Sequence, residues 1–192
     1  APEEKRAAGL PLPVELSGVS VTLEGKLLPL LSVSGGRINA QLPYETTGKA
    51  TLRVWPPGGF AEAGIVVSEL APSIFPNSMV TYGGMAVSES APAEPGSWIT
   101  VYLTGLGAVN GEIGVGQAAP PAPLYSTRAP VAVRIGAVAV TPYFAGLAPG
   151  FAGLYQVNFQ IPQSLSDGTY SLTVVTGGAS SNAVSLPVRS RQ

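Results

Sequence analysis

The chain contains no cysteine and no histidine, and Asp167 is its single aspartate. Without Cys there are no disulfides, no thiolate metal sites and no cysteine nucleophile. Without His there is no Ser-His-Asp triad and no imidazole metal ligand. The Glu residues are scattered and do not form the clustered oxygen ligands of an EF-hand-type loop. No metal ion and no cofactor is therefore expected. A glycosidase-like pair would require two Glu to meet in space. These Glu fall in turns and on wet faces, where solvated charge is the ordinary explanation. The sequence reads as a protein that is not an enzyme.

Charge is also scarce. Charged residues make up 11% of the chain, against about 25% in ordinary soluble domains. The net charge of −1 supplies no basic field, which excludes nucleic acid as a partner. Mean hydropathy is +0.31, yet no unbroken apolar run approaches the roughly 18 residues of a membrane span. Two explanations of the low charge stand side by side. The surface is covered by other copies or by a partner, or it is a surface of Ala, Gly, Ser and Thr that needs no cover. A chain beginning Ala1-Pro2-Glu3-Glu4 is what signal-peptide cleavage would leave, and the Lys-poor, Ser/Thr/Gly/Pro-rich composition suits export. An extracellular or cell-surface location is expected.

The residues in excess are 24 Gly and 19 Pro, which suit short strands joined by tight turns. After a charged leader, residues 1–9, nearly every segment alternates apolar and polar residues. Val19, Val21 and Leu23 do so first; Ile99, Val101 and Leu103, then Val131, Val133 and Ile135, then Leu172 and Val174, follow. No helix is expected beyond a single turn near Gln163–Ser166.

The chain also repeats itself. Ile38-Asn-Ala-Gln-Leu-Pro43 matches Val157-Asn-Phe-Gln-Ile-Pro162, with identity at Asn39/Asn158, Gln41/Gln160 and Pro43/Pro162. Gly18-Val-Ser-Val-Thr-Leu23 precedes the first motif as Pro130-Val-Ala-Val-Arg-Ile135 precedes the second. Gly48-Lys-Ala-Thr-Leu-Arg-Val54 follows the first as Gly168-Thr-Tyr-Ser-Leu-Thr-Val174 follows the second. The expected fold is all-β: two tandem immunoglobulin-like sandwich modules related by internal duplication. Module 1 spans 10–75, a connecting hairpin or linker 76–93, and module 2 94–190. The strands of module 1 are read at 19–23, 38–42, 50–55 and 63–69, those of module 2 at 131–135, 157–161, 169–175 and 182–188.

The succession PGSWITVYLTGLG (95–107), PVAVRIG, LYQVNFQIP and DGTYSLTVVTGGASSNAVSLPV resembles the immunoglobulin-like fold of plexin and transcription-factor type. With LPLPVELSGVSVTL and GGRINAQLPYE added, the chain resembles an uncharacterised C-terminal domain family of secreted Solibacter and other acidobacterial proteins. The resemblance covers nearly all of residues 10–190. It implies an exported bacterial protein with an immunoglobulin-like fold, and it brings no catalytic or binding residues.

Module 2 opens with the long alternating strand around Trp98–Leu103, and module 1 has no counterpart upstream of Leu10. A sandwich short of a strand leaves an open ladder beside uncovered core. The expectation is self-assembly into a head-to-tail homopolymer, each chain lending a strand to the open module of its neighbour. Leu10, Leu12, Val14 and Leu16 are the expected donor strand, with Val19, Val21, Leu23, Ile38 and Leu42 lining the open groove. The alternative is a monomeric adhesive or carbohydrate-binding module with surface glycans as partner. Trp98, Tyr102, Tyr143, Phe144, Phe151 and Tyr155 are the candidate sugar-stacking aromatics, although packing is the commoner use of such residues. Asn39, Asn158 and Trp98 are read as structural residues, the two Asn bonding nearby backbone, ahead of a Lys–Asn isopeptide crosslink through Lys5, Lys26 or Lys49. Asp167-Gly-Thr-Tyr170 has the form of a tyrosine corner, a folding device.

Overall fold

A computed structural model describes residues 3–190; every regular element among them is a strand, and no helix is long and apolar enough to cross a membrane. Ala1 and Pro2, which open the leader, lie outside the described residues. The chain divides into two compact units. Unit 1 holds the residues up to Glu69 with Gly111–Pro123 and Pro149–Gly153; unit 2 holds Leu70–Asn110, Leu124–Ala148 and the chain from Leu154 onward.

Unit 1 contains β1 (Lys5–Arg6), β2 (Glu15–Leu16), β3 (Val19–Leu23), β4 (Lys26–Leu27), β5 (Leu30–Ser34), β6 (Arg37–Ala40), β7 (Gly48–Trp55) and β8 (Ala61–Val67). One sheet runs β2-β3-β7-β8 with β4 also beside β3; the other runs β1-β5-β6. Positive φ at Ser17-Gly18 and at Glu24-Gly25 gives β3 a two-residue hairpin turn at each end, the form whose twist matches that of paired strands. The core is Val19, Val21 and Leu23 from β3 with Leu28, Leu30 and Val33.

Unit 2 contains β9 (Ser73–Thr81), β10 (Trp98–Thr104), β11 (Val131–Ile135), β12 (Val138–Val140), β13 (Phe144–Leu147), β14 (Tyr155–Gln160), β15 (Gly168–Thr176), β16 (Ala179–Ser180) and β17 (Val184–Val188). One sheet is ordered β13-β14-β10-β9; the other is β12-β11-β15, with β16 and β17 both on β15. Taken in chain order, β9, β10, β13 and β14 hold the places of immunoglobulin strands A, B, D and E, and β11, β15 and β17 those of C, F and G. The inward residues Ile99, Val101, Leu103, Val157 and Phe159 of one sheet and Val133, Ile135, Leu172, Val174, Leu186 and Val188 of the other are all essentially solvent-free. Each such side chain contributes about 1.5–3 kcal/mol of burial energy.

The matched sequence motifs occupy matching places in the two pairing schemes. β3 pairs β7 with Leu23 opposite Leu52 and Val21 opposite Val54. β11 pairs β15 with Ile135 opposite Leu172 and Val133 opposite Val174. Likewise β5 pairs β6 as β13 pairs β14. The units differ beside β6. β14 is flanked on its other edge by β10, whereas among the described residues no strand pairs with the other edge of β6. Burial follows: Val157, Phe159, Ile161, Leu172 and Val174 are sealed, while their counterparts Ile38, Ala40, Leu42, Leu52 and Val54 are only partly buried.

Several expectations need correcting. The boundary falls after Glu69, and much of the expected linker 76–93 is structured, because β9 runs through Pro76 and Asn77 as a bulge against β10. Pro and Asn read as strand breakers; here Asn77 takes a positive φ of 53° and the strand continues. Module 2 is not continuous either, since Gly111–Pro123 and Pro149–Gly153 fold with unit 1. The leader is not wholly unstructured: Lys5 and Arg6 pair with Val33 and Ser32 of β5 through their backbone. The expected donor segment is used within its own unit. Glu15–Leu16 pairs with β3, the Pro13 carbonyl accepts from the Leu30 N–H at 2.7 Å, and the Leu12 N–H donates to the Gly116 carbonyl at 2.8 Å. Val19, Val21 and Leu23 are buried and line no open groove. Strand β5 was not expected at all.

Two side-chain ties close unit 2. The Asn182 amide accepts from the Ile74 N–H at 2.8 Å and donates to the Ile74 carbonyl at 3.2 Å, joining β9 to the segment before β17. Asp167 accepts from the N–H and hydroxyl of Ser190 at 2.7 and 2.8 Å. Those bonds, the backbone one first, hold the exposed Asp167 carboxyl below its usual range.

Two predictions follow from this packing. Leu172→Ala is expected to cost about 2–5 kcal/mol and Leu52→Ala less than half as much, measured by urea unfolding; equal losses would show that the region around β6 is closed in solution. Because the folded Asp167 carboxyl titrates below its ordinary value of 3.8, its stabilisation is present above that pH and is lost as the pH falls through the lower folded value. Asp167→Asn should therefore flatten the acid limb of the stability profile below pH 3.8, read by thermal melts in a pH series.

Candidate functional site

Strand parity builds the site. In β10 the residues Ile99, Val101 and Leu103 point into the core, so Trp98, Thr100 and Tyr102 lie on the outer face. In β14 the buried Tyr155, Val157 and Phe159 leave Gln156, Asn158 and Gln160 outside. The register sets Trp98 opposite Gln160, Thr100 opposite Asn158 and Tyr102 opposite Gln156. β13 adds Phe144 beside Asn158, and β9 adds Val80 beside Thr100. At the next register position Tyr82 donates its backbone N–H to the Trp98 carbonyl at 3.0 Å. No position in these rows carries a charged residue.

Aromatic surface concentrates at one end of this face. Trp98 is 42% exposed, Tyr143 84% and Tyr82 92%. The Trp98 and Tyr143 rings meet edge to face, with centroids 5.8 Å apart and planes at 79°. Tyr143 is set there by its N–H, which donates to the Asn158 carbonyl at 2.8 Å. Beside the pair, the Gln160 amide is fixed by a 2.8 Å bond from its Nε2 to the Gly96 carbonyl. Farther along, the Ser78 hydroxyl donates to the Tyr102 carbonyl at 2.7 Å, where the bulge of β9 breaks the ladder. The Asn158 Oδ1 is closed from solvent and has no hydrogen-bond partner among the described residues. An array of ring faces, hydroxyls and amides with no net charge can stack on an apolar surface and exchange neutral hydrogen bonds.

The structure brings together only part of the expected aromatic set. Trp98, Tyr102, Tyr143 and Phe144 share the outer face. Tyr155 points inward, its hydroxyl bonded to the Gly107 carbonyl, and Phe151 belongs to unit 1. Trp98 and Tyr143 are both exposed, and their rings pack against each other. Tyr82, Gln156, Gln160 and Thr100 were not singled out from the sequence, although the period-two alternation of WITVYLT and YQVNFQ already assigns three of them to the wet face. Asn39 donates to the Ser32 hydroxyl at 2.8 Å, and the Tyr170 hydroxyl donates to the Ser166 carbonyl at 2.9 Å. Leu10 and Val14 are exposed, and Ile38 and Leu42 partly buried.

Displaced ionisations lie away from this face. Glu4 is lowered, chiefly by its bond to Ser32 and then by Arg6. Tyr44 is raised by burial, against the opposing effect of its bond to Gly153. Both are engaged in holding unit 1 together. Among the described residues no group of His, Cys, Asp and Glu is placed to hold a metal ion.

No family model and no curated protein matches the chain. Among solved structures it is similar to the Bacteroides ovatus mixed-linkage glucan utilization locus SGBP-B in complex with a mixed-linkage heptasaccharide. The identity is 17% and the TM-score 0.32, over 89% of this chain and 36% of that one. The chain thus spans about a third of that protein's length, and a likeness at this level carries nothing about ligand from one to the other.

Gly146 is the residue this face tolerates least in any other form. A Cβ there would run into the Tyr125 carbonyl and the Phe144 ring, because Tyr125 accepts a bond from Leu147 along the edge of β13. Gly146→Ala is expected to destabilise unit 2 by about 1–3 kcal/mol through overpacking, checked by chemical denaturation.

Proposed function

We propose that this protein is an exported carbohydrate-binding module that holds a glycan against the outer face of the four-stranded sheet of unit 2. The observation that carries this reading is the uncharged row Tyr82, Trp98 and Gln160 with Tyr143 beside it, exposed and fixed by backbone bonds. Sugar rings present apolar C–H faces, which stack on aromatic rings, and hydroxyls, which pair with amides and hydroxyls. Strands hold such groups more rigidly than loops do, so little ordering entropy is lost on binding. The Lys-poor composition supports placement outside the cell. The test is a glycan array followed by calorimetry on the ligands retained. Trp98→Ala and Tyr143→Ala are each expected to weaken binding at least about tenfold, the order of one lost aromatic contact. Retained affinity in both variants would remove the reading.

A second reading rests on the unpaired edge of β6. Half-buried Ile38, Ala40 and Leu42 beside an open ladder are what a strand from a second copy would cover. With Leu10–Leu16 engaged within its own unit, edge strand β8, whose Val66 is 74% exposed, is the donor this reading assigns. Head-to-tail pairing of this kind propagates into a filament. Size-exclusion chromatography and negative-stain microscopy at high concentration decide it: polymers lost on Val66→Lys support assembly, and a monodisperse monomer at every concentration excludes it.

A further inference from the structure

We infer that the ligand of this face is a neutral, soluble glycan chain that bends between successive sugar units, and not the flat face of a crystalline polysaccharide. The inference rests on the carbohydrate-binding reading and names its substrate class. Three observations lead to it.

The first is charge. Val80, Thr100, Asn158 and Phe144 form one row across the sheet, with Tyr102 and Gln156 on one side of it and Tyr82, Trp98 and Gln160 on the other. None of these side chains is ionised near neutral pH. A uronic acid, sulfate or phosphate sugar would lose its hydration at this face and gain no compensating cation. A neutral sugar loses only hydroxyl hydration, which Gln160, Gln156 and Thr100 replace in kind.

The second is the angle between the rings. Sheets of a crystalline polymer offer one plane, and a platform suited to them needs aromatic faces parallel to that plane. Trp98 and Tyr143 stand at 79° to each other, so only one of the two can lie flat on any planar surface. A chain whose successive sugars turn relative to one another can present a face to each ring in turn. With centroids 5.8 Å apart, the two rings stand about one sugar unit from each other.

The third is shape. The rows run across adjacent strands, each about 4.8 Å from the next. The three-residue row Tyr82, Trp98 and Gln160 thus extends over roughly 10 Å, the length of two or so sugar units, on the exposed face of a sheet. Such a surface accepts an internal stretch of chain, where a closed pocket would require a terminus.

The experiment uses the full chain against four probes. Mixed-linkage β-glucan and laminarin are soluble, neutral and bent; microcrystalline cellulose is neutral and flat; alginate is acidic. Affinity electrophoresis and calorimetry read the soluble probes, and pull-down reads the insoluble one. The expected result is binding to at least one bent neutral glucan, unchanged between 50 mM and 500 mM salt. Binding should fall about tenfold in Tyr143→Ala, with cellulose and alginate left in solution. Tyr143 is 84% exposed, so this variant keeps the fold, and an unchanged melting temperature checks that. Cellulose retained as well as the soluble chains would overturn the bent-chain inference while leaving the carbohydrate-binding function standing. Salt-sensitive binding to alginate would overturn the neutral class in the same way. Failure of every polysaccharide to bind would remove the function itself.

Discussion

The pairing of β10 with β14 is the constraint on which the rest of unit 2 depends. It runs from Trp98 opposite Gln160 to Leu103 opposite Tyr155. Its inner side chains are sealed from solvent, as are Leu172, Val174 and Leu186 of the other sheet; its outer ones are Trp98, Thr100, Tyr102, Gln156, Asn158 and Gln160. Core and face are thus two sides of one register. A slip of β10 by a single residue would bring Trp98 inward and turn Ile99 to water. Because the buried side holds several kcal/mol of apolar burial, that slip is strongly disfavoured, and the positions of the exposed aromatics are fixed by a core they do not belong to.

Unit 1 shows what the same strand scheme becomes without that pairing. Its β3–β7 ladder has the register of β11–β15, down to Leu23 opposite Leu52 where Ile135 faces Leu172. Yet the positions along the unpaired edge of β6 remain half exposed, and Ala40 stands where unit 2 has the fully buried Phe159. A small residue in place of a large one is consistent with a site that has less volume to fill. The Gln41 side chain closes one end by accepting from the Gly116 N–H at 2.8 Å, so part of the role of a strand is taken by a loop from distant sequence.

How much of this was legible depended on what the chain spells out locally. Alternation revealed β3, β10, β11, β14 and β15, since one buried face imposes a period of two. It failed for β1, whose Lys5 and Arg6 pair through backbone groups that carry no side-chain signature, and for β9, where Pro76 and Asn77 sit in a bulge. The loops Gly111–Pro123 and Pro149–Gly153, which fold with unit 1, were beyond reach, because nothing local in a loop states which core it will cover. The outer face was a different case. The parity that puts Ile99 inward also puts Trp98 and Tyr102 outward, against the general tendency of aromatics to pack. Tyr82 had only a Gly-Gly turn after it to mark an exposed site.

Charge is where the sequence and the face bear most directly on each other. The low charged fraction of 11% has two explanations, a surface hidden by other copies or a surface neutral in its own right. The charged residues are not spread evenly: Lys5, Lys26 and Lys49 all fall in unit 1, and the described part of unit 2 carries only Glu89, Glu94, Arg128, Arg134, Asp167 and Arg189. None of them stands in the cross-strand rows of the outer face. A charge beside those rings would hold its own hydration shell and keep water where a sugar face must displace it. On the proposed carbohydrate-binding reading, the shortage of charge in unit 2 suits a surface that exchanges water for uncharged hydroxyls. The open edge of β6, by contrast, begins at the charged Arg37, so burial between copies explains the shortage less well than a neutral binding face does.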